Sequence, residues 1–369
     1  MRHDYPSQHA HPSTRTRRST PLLWVLVGLL SLGAARAADA SPETTTSAAS
    51  AVCEPLGSTF VITGELKRWH PVTLTFEGPC ARENGDPNPF LDYRLNVEIT
   101  TPSGQALTVP GFFAADGDAA ETGATEGNRW RAVFTPSETG THAFTASFRQ
   151  GSAVAVSLDA GAGSPAAFDG ASGSFTVNET DKGGSDFRGR GVLRYVGERY
   201  LRFDDGSYFI KVGADSPENF LAYSEFDNTY DLNDDGSVRD YDPHIGDWNS
   251  GDPTWNGGRG KGIIGALNYL ASEGMNSVYF LTMNWEGDGQ DTWPWTHPSQ
   301  RDRYDVSKLA QWDIVFSHMD RLGIQLHVVT QENENVAVLD NGNLGTERKL
   351  YYRELVARFA HHHAIKWNL

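Results

Sequence analysis

The chain has 369 residues, 38% hydrophobic and 21% charged, which is ample for two globular domains and too apolar for general disorder. Its formal charge is −16, from 47 acidic against 31 basic residues. So acidic a surface repels phosphate, which argues against nucleic acid and anionic lipid as partners and favours neutral, hydrated material.

At the N-terminus, "TRTRRSTPLLWVLVGLLSLGAARAADA" places Arg15, Arg17 and Arg18 before an apolar run from Pro21 to Ala35, then small residues around Ala37. This is the pattern of a secretory signal peptide over residues 1–37, and about 15 apolar residues fall short of the roughly 20 that span a bilayer. No stable membrane insertion is expected after cleavage, and the location is secreted or periplasmic in a bacterium. The segment carries five Arg and one Asp, net +4, so its removal leaves −20. Residues 38–52 are rich in Ser, Thr and Ala and read as a disordered linker. Cys53 and Cys80 are the only cysteines. In an oxidising compartment a disulfide is the default for them, with two free thiols as the alternative.

Over residues 53–177 the apolar residues alternate in short runs: "TFVITGEL", "PVTLTFEG", "YRLNVEITTPSGQALTVPGFF", "NRWRAVFTPSETGTHAFTASFR" and "SGSFTV". Period-2 runs with turn signals about every ten residues predict an antiparallel β-sandwich. No cluster of catalytic groups occurs there. Residues 178–190 are a Gly-rich linker, and "RYLRFDDGSYFIKVG" follows as a hairpin turning at Asp205-Gly206.

The period then changes. "YFIKVGAD" reads as a strand, "GKGIIGALNYLASEG" as a helix, "NSVYFLTMN" as a strand, "DVSKLAQWDIVFSHMDRLG" as a helix, "IQLHVVTQ" as a strand, "LYYRELVARFAHH" as a helix and "AIKWNL" as a strand. This is the βαβ rhythm of a parallel sheet. "GADSPENF" lacks a phosphate-binding fingerprint, so a (β/α)₈ barrel is preferred over a dinucleotide fold, and residues 191–369, with four of eight strands and fewer than the roughly 250 residues a barrel needs, are read as its first half. The expected fold is therefore a sandwich followed by the first half of a TIM barrel.

Barrel chemistry gathers in the loops after the strands. Five of the ten Trp lie there: Trp248, Trp255, Trp285, Trp293 and Trp295. Flat rings beside carboxylates and amides suit sugars, whose C–H faces pack on aromatics while their hydroxyls take hydrogen bonds; the bland alternative is that the rings pack long loops onto the rim. Two or three are expected at the ligand. The substrate-binding candidates are Asp215, Trp285, Glu286, Trp293, Trp295, Gln331 and Glu332, for a polysaccharide or oligosaccharide. "DLNDDGSVRDYD" places Asp231, Asn233, Asp235, Ser237 and Asp242 at positions 1, 3, 5, 7 and 12 of an EF-hand-like calcium loop, with Gly236 at 6. Arg239 at position 9 fits poorly, and an Asx-rich turn is the alternative. No organic cofactor is indicated. His327 on a strand reads as a packed residue, and His361, His362 and His363 as a helix terminus rather than a metal tract.

"NPFLDYRLNVEITTPSGQALTVPGFF" and "NRWRAVFTPSETGTHAFTASF" resemble the uncharacterised immunoglobulin-like domain that precedes catalytic barrels in bacterial polysaccharide-degrading enzymes. "YFIKVGADSPENF", "KGIIGALNYLASEGMNSVYFLTMN" and "DVSKLAQWDIVFSHMDRLGIQLHVVTQENEN" are similar to the first half of the associated glycoside hydrolase-like barrel. The resemblance implies hydrolysis of O-glycosidic bonds by two Glu about 5 Å apart, both beyond Leu369, so the chain is expected to be an inactive N-terminal fragment with unknown catalytic residues. The alternatives are a non-catalytic carbohydrate-binding protein and a polysaccharide lyase.

Overall fold

The computed structural model describes residues 53–213, 217–285, 287 and 289–369. The expected signal peptide and linker, and the candidates Asp215 and Glu286, lie outside the described residues. Among the described residues no helix is long and apolar enough to cross a membrane.

The first part is built from β1 (Phe60–Gly64), β2 (Val72–Arg82), β3 (Tyr93–Thr100), β4 (Ala106–Pro110), β5 (Phe112–Phe113), a one-turn helix α1 (Ala119–Thr122), β6 (Glu126–Phe134), β7 (Gly140–Gln150), β8 (Ser164–Pro165) and β9 (Ser172–Val177). One antiparallel sheet runs β1-β2-β6-β5; the other runs β4-β3-β7, with β8 and β9 both paired to β7. Alternation decides which face is buried. Val72, Leu74 and Phe76 of β2, Trp130 and Ala132 of β6, Leu95, Val97 and Ile99 of β3, and Phe144, Ala146 and Phe148 of β7 are all buried. The inner faces meet through aromatic pairs, Phe76 with Phe144 at 6.2 Å and Trp130 with Phe148 at 4.8 Å. Gly78 is needed where β2 bulges against β6, because a Cβ there would stand 2.3 Å from the Trp130 ring. Cys53 and Cys80 form a disulfide with Cα atoms 5.9 Å apart, tying the chain ahead of β1 to β2.

The second part contains β10 (Leu201–Arg202), β11 (Tyr208–Phe209), α2 (Lys261–Ser272), β12 (Ser277–Leu281), α3 (Val306–Leu322), β13 (Gln325–Val329), α4 (Thr346–Phe359) and β14 (Ile365–Asn368). β12, β13 and β14 form a three-stranded parallel sheet in that order. "YFIKVGAD" is only partly a strand. Tyr208 and Phe209 pair with β10, turning at Gly206, and the chain then runs beside β12, where Asn276 N–H donates to the Val212 carbonyl at 2.8 Å. Gly213 permits this approach, since a Cβ would lie 2.1 Å from the Ser277 carbonyl oxygen.

One face of the parallel sheet, with Val278, Phe280, Leu326 and Val328, is apolar and buried. Phe280 packs on Phe316 of α3 at 5.2 Å, and Phe316 on Phe359 of α4 at 5.1 Å. Helix α3 starts cleanly: Asp305 caps it by accepting the Lys308 N–H at 2.9 Å, and Glu83 reaches over from the antiparallel part to accept the Val306 N–H at 2.7 Å. Further polar links join the parts. Arg353 donates to the Leu95 carbonyl at 2.8 Å and Arg358 to the Phe113 carbonyl at 2.9 Å. Thr135 donates to the His361 carbonyl at 2.7 Å, and His363 Nε2 to the Trp69 carbonyl at 2.6 Å. The three histidines form a buried helix terminus.

Candidate functional site

The opposite face of the parallel sheet is polar. Register aligns Tyr279 with His327 and Lys366, and Leu281 with Val329 and Asn368. Ser277 donates to the Gln325 side chain at 3.2 Å, and Tyr279 meets the His327 ring edge-on at 5.1 Å. Lys211 Nζ lies 2.9 Å from His327 Nδ1. An ammonium only donates, so Nδ1 accepts and the imidazole carries its proton on Nε2.

The strands end side by side, so the residues after them share one edge. Tyr351 of α4 donates its hydroxyl to the Thr330 carbonyl at 2.8 Å and meets Thr282 Oγ1 at 2.7 Å, which leaves Thr282 as the donor in that pair. Asn284 and Thr292 exchange two backbone hydrogen bonds, 2.8 and 2.9 Å, closing the intervening loop. The buried Asn335 then joins both loops, its Nδ2 3.4 Å from Asn284 Oδ1 and its Oδ1 3.5 Å from the Trp285 N–H. Trp285 is half-buried, with the Arg301 guanidinium 4.9 Å from the ring centre.

Of the described sugar-binding candidates, Trp285 and Glu332 are partly exposed and lie at this edge. Trp293 and Trp295 are corrected: they are 1% and 0% exposed and present no face to a ligand. Trp293 packs on Tyr230 at 5.1 Å and Trp295 on Tyr351 at 6.0 Å, so both serve the core, as does the fully buried Trp255. Gln331 is partly exposed at the same edge, with its Nε2 donating to the Asn335 carbonyl at 3.3 Å and its Oε1 accepting from Arg348. Arg348 also donates to the Val336 and Leu339 carbonyls, which makes it the residue that shapes the segment after β13. The sequence reading missed Lys211, Tyr279, Asn284, Asn335 and Arg348. The signal for Tyr279 was present, because Ser277 and Tyr279 alternate with Val278 and Phe280, as Gln325 and His327 do with Leu326 and Val328.

The acidic loop is turned by Gly236 at φ 80°. Asp231 accepts N–H groups from Gly236 at 2.7 Å, Asp235 at 3.1 Å and Asn233 at 3.2 Å, and these bonds, that from Gly236 foremost, lower its pKa. Asp231 and Asp235 converge with Asp291, each offering an oxygen within 4.8 Å of the others. Asp291 is 3% exposed, and burial, reinforced by the two neighbouring carboxylates, raises its pKa. The Asp242 position is corrected. Arg239 is bridged to Tyr223 and Tyr241 adopts φ 55°, so the chain turns and Asp242 opens a short 3₁₀ helix outside the group. Ser237 is drawn in differently from an EF-hand: its hydroxyl donates to Asp291, while its carbonyl accepts from Asn219 at 2.7 Å. Asn233 donates to Gln290 at 2.6 Å, leaving its own carbonyl oxygen as the candidate ligand atom.

Residues 65–149 match a family model described as "Domain of unknown function (DUF5060)". No curated protein sequence matches the chain. Among solved structures, it is similar to a "putative glycoside hydrolase" from Bacteroides vulgatus ATCC 8482, with TM-score 0.53 and 16% identity over 82% of this chain. The match covers 48% of that protein, so the chain spans about half its length. At this identity the likeness is one of fold. A pullulanase complexed with maltotriose from Anoxybacillus sp. LM18-11 matches at 11% identity over 73% of this chain and 33% of that one, with TM-score 0.16. The type III pullulan hydrolase from Thermococcus kodakarensis matches at 13% over 76% and 43%, with TM-score 0.17. Superposition that poor carries no argument. The described part of the chain is thus mostly β, with several antiparallel sheets and few helices, and its fold is similar to that of about half of the Bacteroides protein.

Proposed function

We propose that this chain is part of an exported carbohydrate-active enzyme that hydrolyses O-glycosidic bonds in a polysaccharide. In this reading, residues 53–177 are an immunoglobulin-like sandwich and residues 191–369 are half of a (β/α)₈ barrel, whose lumen is faced by Lys211, Tyr279 and His327. One observation carries the reading: Trp285 and Glu332, both partly exposed, stand at the C-terminal edge of a parallel sheet, over the buried Asn284–Asn335 pair that joins their two loops. Such an edge is where barrels bind, and a ring beside a carboxylate matches a sugar's apolar face and hydroxyl rim. The fold likeness to the Bacteroides protein supports it. Affinity electrophoresis in gels containing neutral polysaccharides tests it. At least one glycan is expected to retard the protein, and Trp285→Ala to weaken that binding about 10-fold, the loss of one stacking contact. Failure of every glycan to retard it, or an unchanged Trp285→Ala variant, would count against the reading.

We propose further that calcium binds at Asp231, Asp235 and Asp291, with the Asn233 carbonyl oxygen as a fourth ligand. Three carboxylates this close repel one another, and a hard divalent cation offsets the repulsion with oxygen ligands. Affinity typical of extracellular calcium modules, about 10⁻⁴–10⁻³ M, predicts that about 5 mM calcium adds roughly 1–2 kcal/mol to stability. Thermal unfolding should show a rise of a few degrees with calcium and none in Asp291→Asn. An equal rise in both proteins, or none in either, removes the site.

A further inference from the structure

Two imidazoles and a carboxylate converge where α3 passes the end of α4. Asp313 lies in the middle of α3, and His361 and His362 follow α4. Asp313 Oδ1 is 3.5 Å from His361 Nε2 and 3.2 Å from His362 Nε2. A tetrahedral zinc ion with bonds of about 2.0–2.1 Å holds its ligand atoms about 3.3 Å apart, so both separations match the edges of such a site. His362 Nδ1 lies 2.8 Å from Asp320 Oδ2. A carboxylate behind the imidazole is what orients a metal-binding histidine and presents its other nitrogen to the ion.

Charge points the same way. Asp320 is buried and Asp313 partly so, and between them they face three histidines. The His362 ring stands between the two carboxylates, with Nδ1 on Asp320 and Nε2 on Asp313. A divalent cation beside them offsets both negative charges. His361 Nδ1 is buried with no hydrogen-bond partner among the described residues, so it goes unmatched in either tautomer. With the proton on Nδ1, the lone pair of Nε2 faces the Asp313 oxygen across 3.5 Å, and an ion between the two takes up both. Asp313 lines a cavity of about 240 Å³ and the two histidines line a separate one of about 290 Å³. Arg131 borders the first cavity and offers Asp313 a competing positive charge, so the affinity will be lower than that of an all-histidine site.

We propose that Asp313, His361 and His362 bind a zinc ion, or another divalent cation of similar ligand preference, with Asp320 as the positioning residue. The ion would hold α3 against the end of α4, a point already fastened to the antiparallel part through Thr135 and Trp69. The test uses the full chain with any affinity tag removed, stripped with a chelator and titrated with zinc. One zinc per chain is expected by elemental analysis, with a rise in melting temperature that calcium neither produces nor reverses. Cobalt in place of zinc should give the intense visible absorption of a four-coordinate nitrogen–oxygen site. Asp313→Asn, on a partly exposed side chain, should fold as the parent and bind zinc at least about 10-fold more weakly. His362→Gln should abolish the cobalt absorption. The proposal is overturned if the stripped protein takes up no stoichiometric zinc on titration, if calcium displaces it, or if folded Asp313→Asn binds it as tightly as the parent.

Discussion

Replacing Arg358 with methionine is expected to destabilise the protein by about 3–5 kcal/mol, the cost of leaving one half of a buried ion pair without the other. Arg358 and Glu354 lie one turn apart on α4, each 4% exposed, with Nε 3.1 Å from Oε2. The guanidinium also donates to the Phe113 carbonyl at 2.9 Å and stands 4.4 Å from the centre of the Phe112 ring, so it seats α4 on β5. Burial already raises the pKa of Glu354, and without Arg358 the carboxylate would take up a proton or draw in water. Arg353 offers little relief, since its Nη2 is committed to the Leu95 carbonyl and Asn96. The double variant Arg358→Met with Glu354→Leu should recover most of the loss, because an apolar pair carries no desolvation penalty. Denaturant unfolding of the four proteins in the cycle measures this. A single variant costing under about 1 kcal/mol, or a double variant as unstable as the sum of the singles, would show that the pair does not behave as a buried unit.

The same pair marks the limit of what the sequence discloses. Period-2 runs such as "YRLNVEIT" and the switch to helical spacing at "GKGIIGALNYLASEG" are local signals, and these elements lie where the signals place them, whereas of the described residues in "YFIKVGAD" only Tyr208–Phe209 is a strand. What pairs with what across the chain is not local. Asp291 joins Asp231 from about sixty residues away, and nothing in "DLNDDGSVRDYD" announces that it takes the place expected of Asp242. The tryptophans misled for a related reason. Loop context suggested exposure, but a long loop needs its own core, and Trp255, Trp293 and Trp295 supply it. Gln331 sits at the expected edge, yet Arg348, which engages it, lies on the next helix. Trp285 stays half-buried at the strand ends, where polar and apolar needs coincide, and that is the part of the candidate site the residue types alone could identify.

Stability is expected to fall by about 3–5 kcal/mol as pH rises from about 4.5 to 8 through Glu83 alone, and Glu83→Gln should abolish that component. Glu83 is 4% exposed, and burial, together with the adjacent Asp305 carboxylate, raises its pKa to about 8. The folded protein therefore keeps a proton that the unfolded chain releases near 4.5. Between those values the folded state binds more protons, so the slope of stability against pH is negative there. Glutamine keeps the oxygen that accepts the Val306 N–H at 2.7 Å, so the N-terminus of α3 retains its partner, and it cannot ionise. Alanine would lose that partner and cost about 1 kcal/mol at acid pH, where glutamine should cost nothing. The buried His318 works in the opposite sense. His318, lowered to about 4 by burial, makes stability rise with pH between about 4 and 6.5, so the Glu83 component must be read as the difference between the parent and Glu83→Gln curves. That difference should be near zero at pH 4 and grow in favour of the variant up to pH 8. Parallel curves would mean that Glu83 is ionised in the folded protein, held by Arg358 and Lys308 against the field of Asp305.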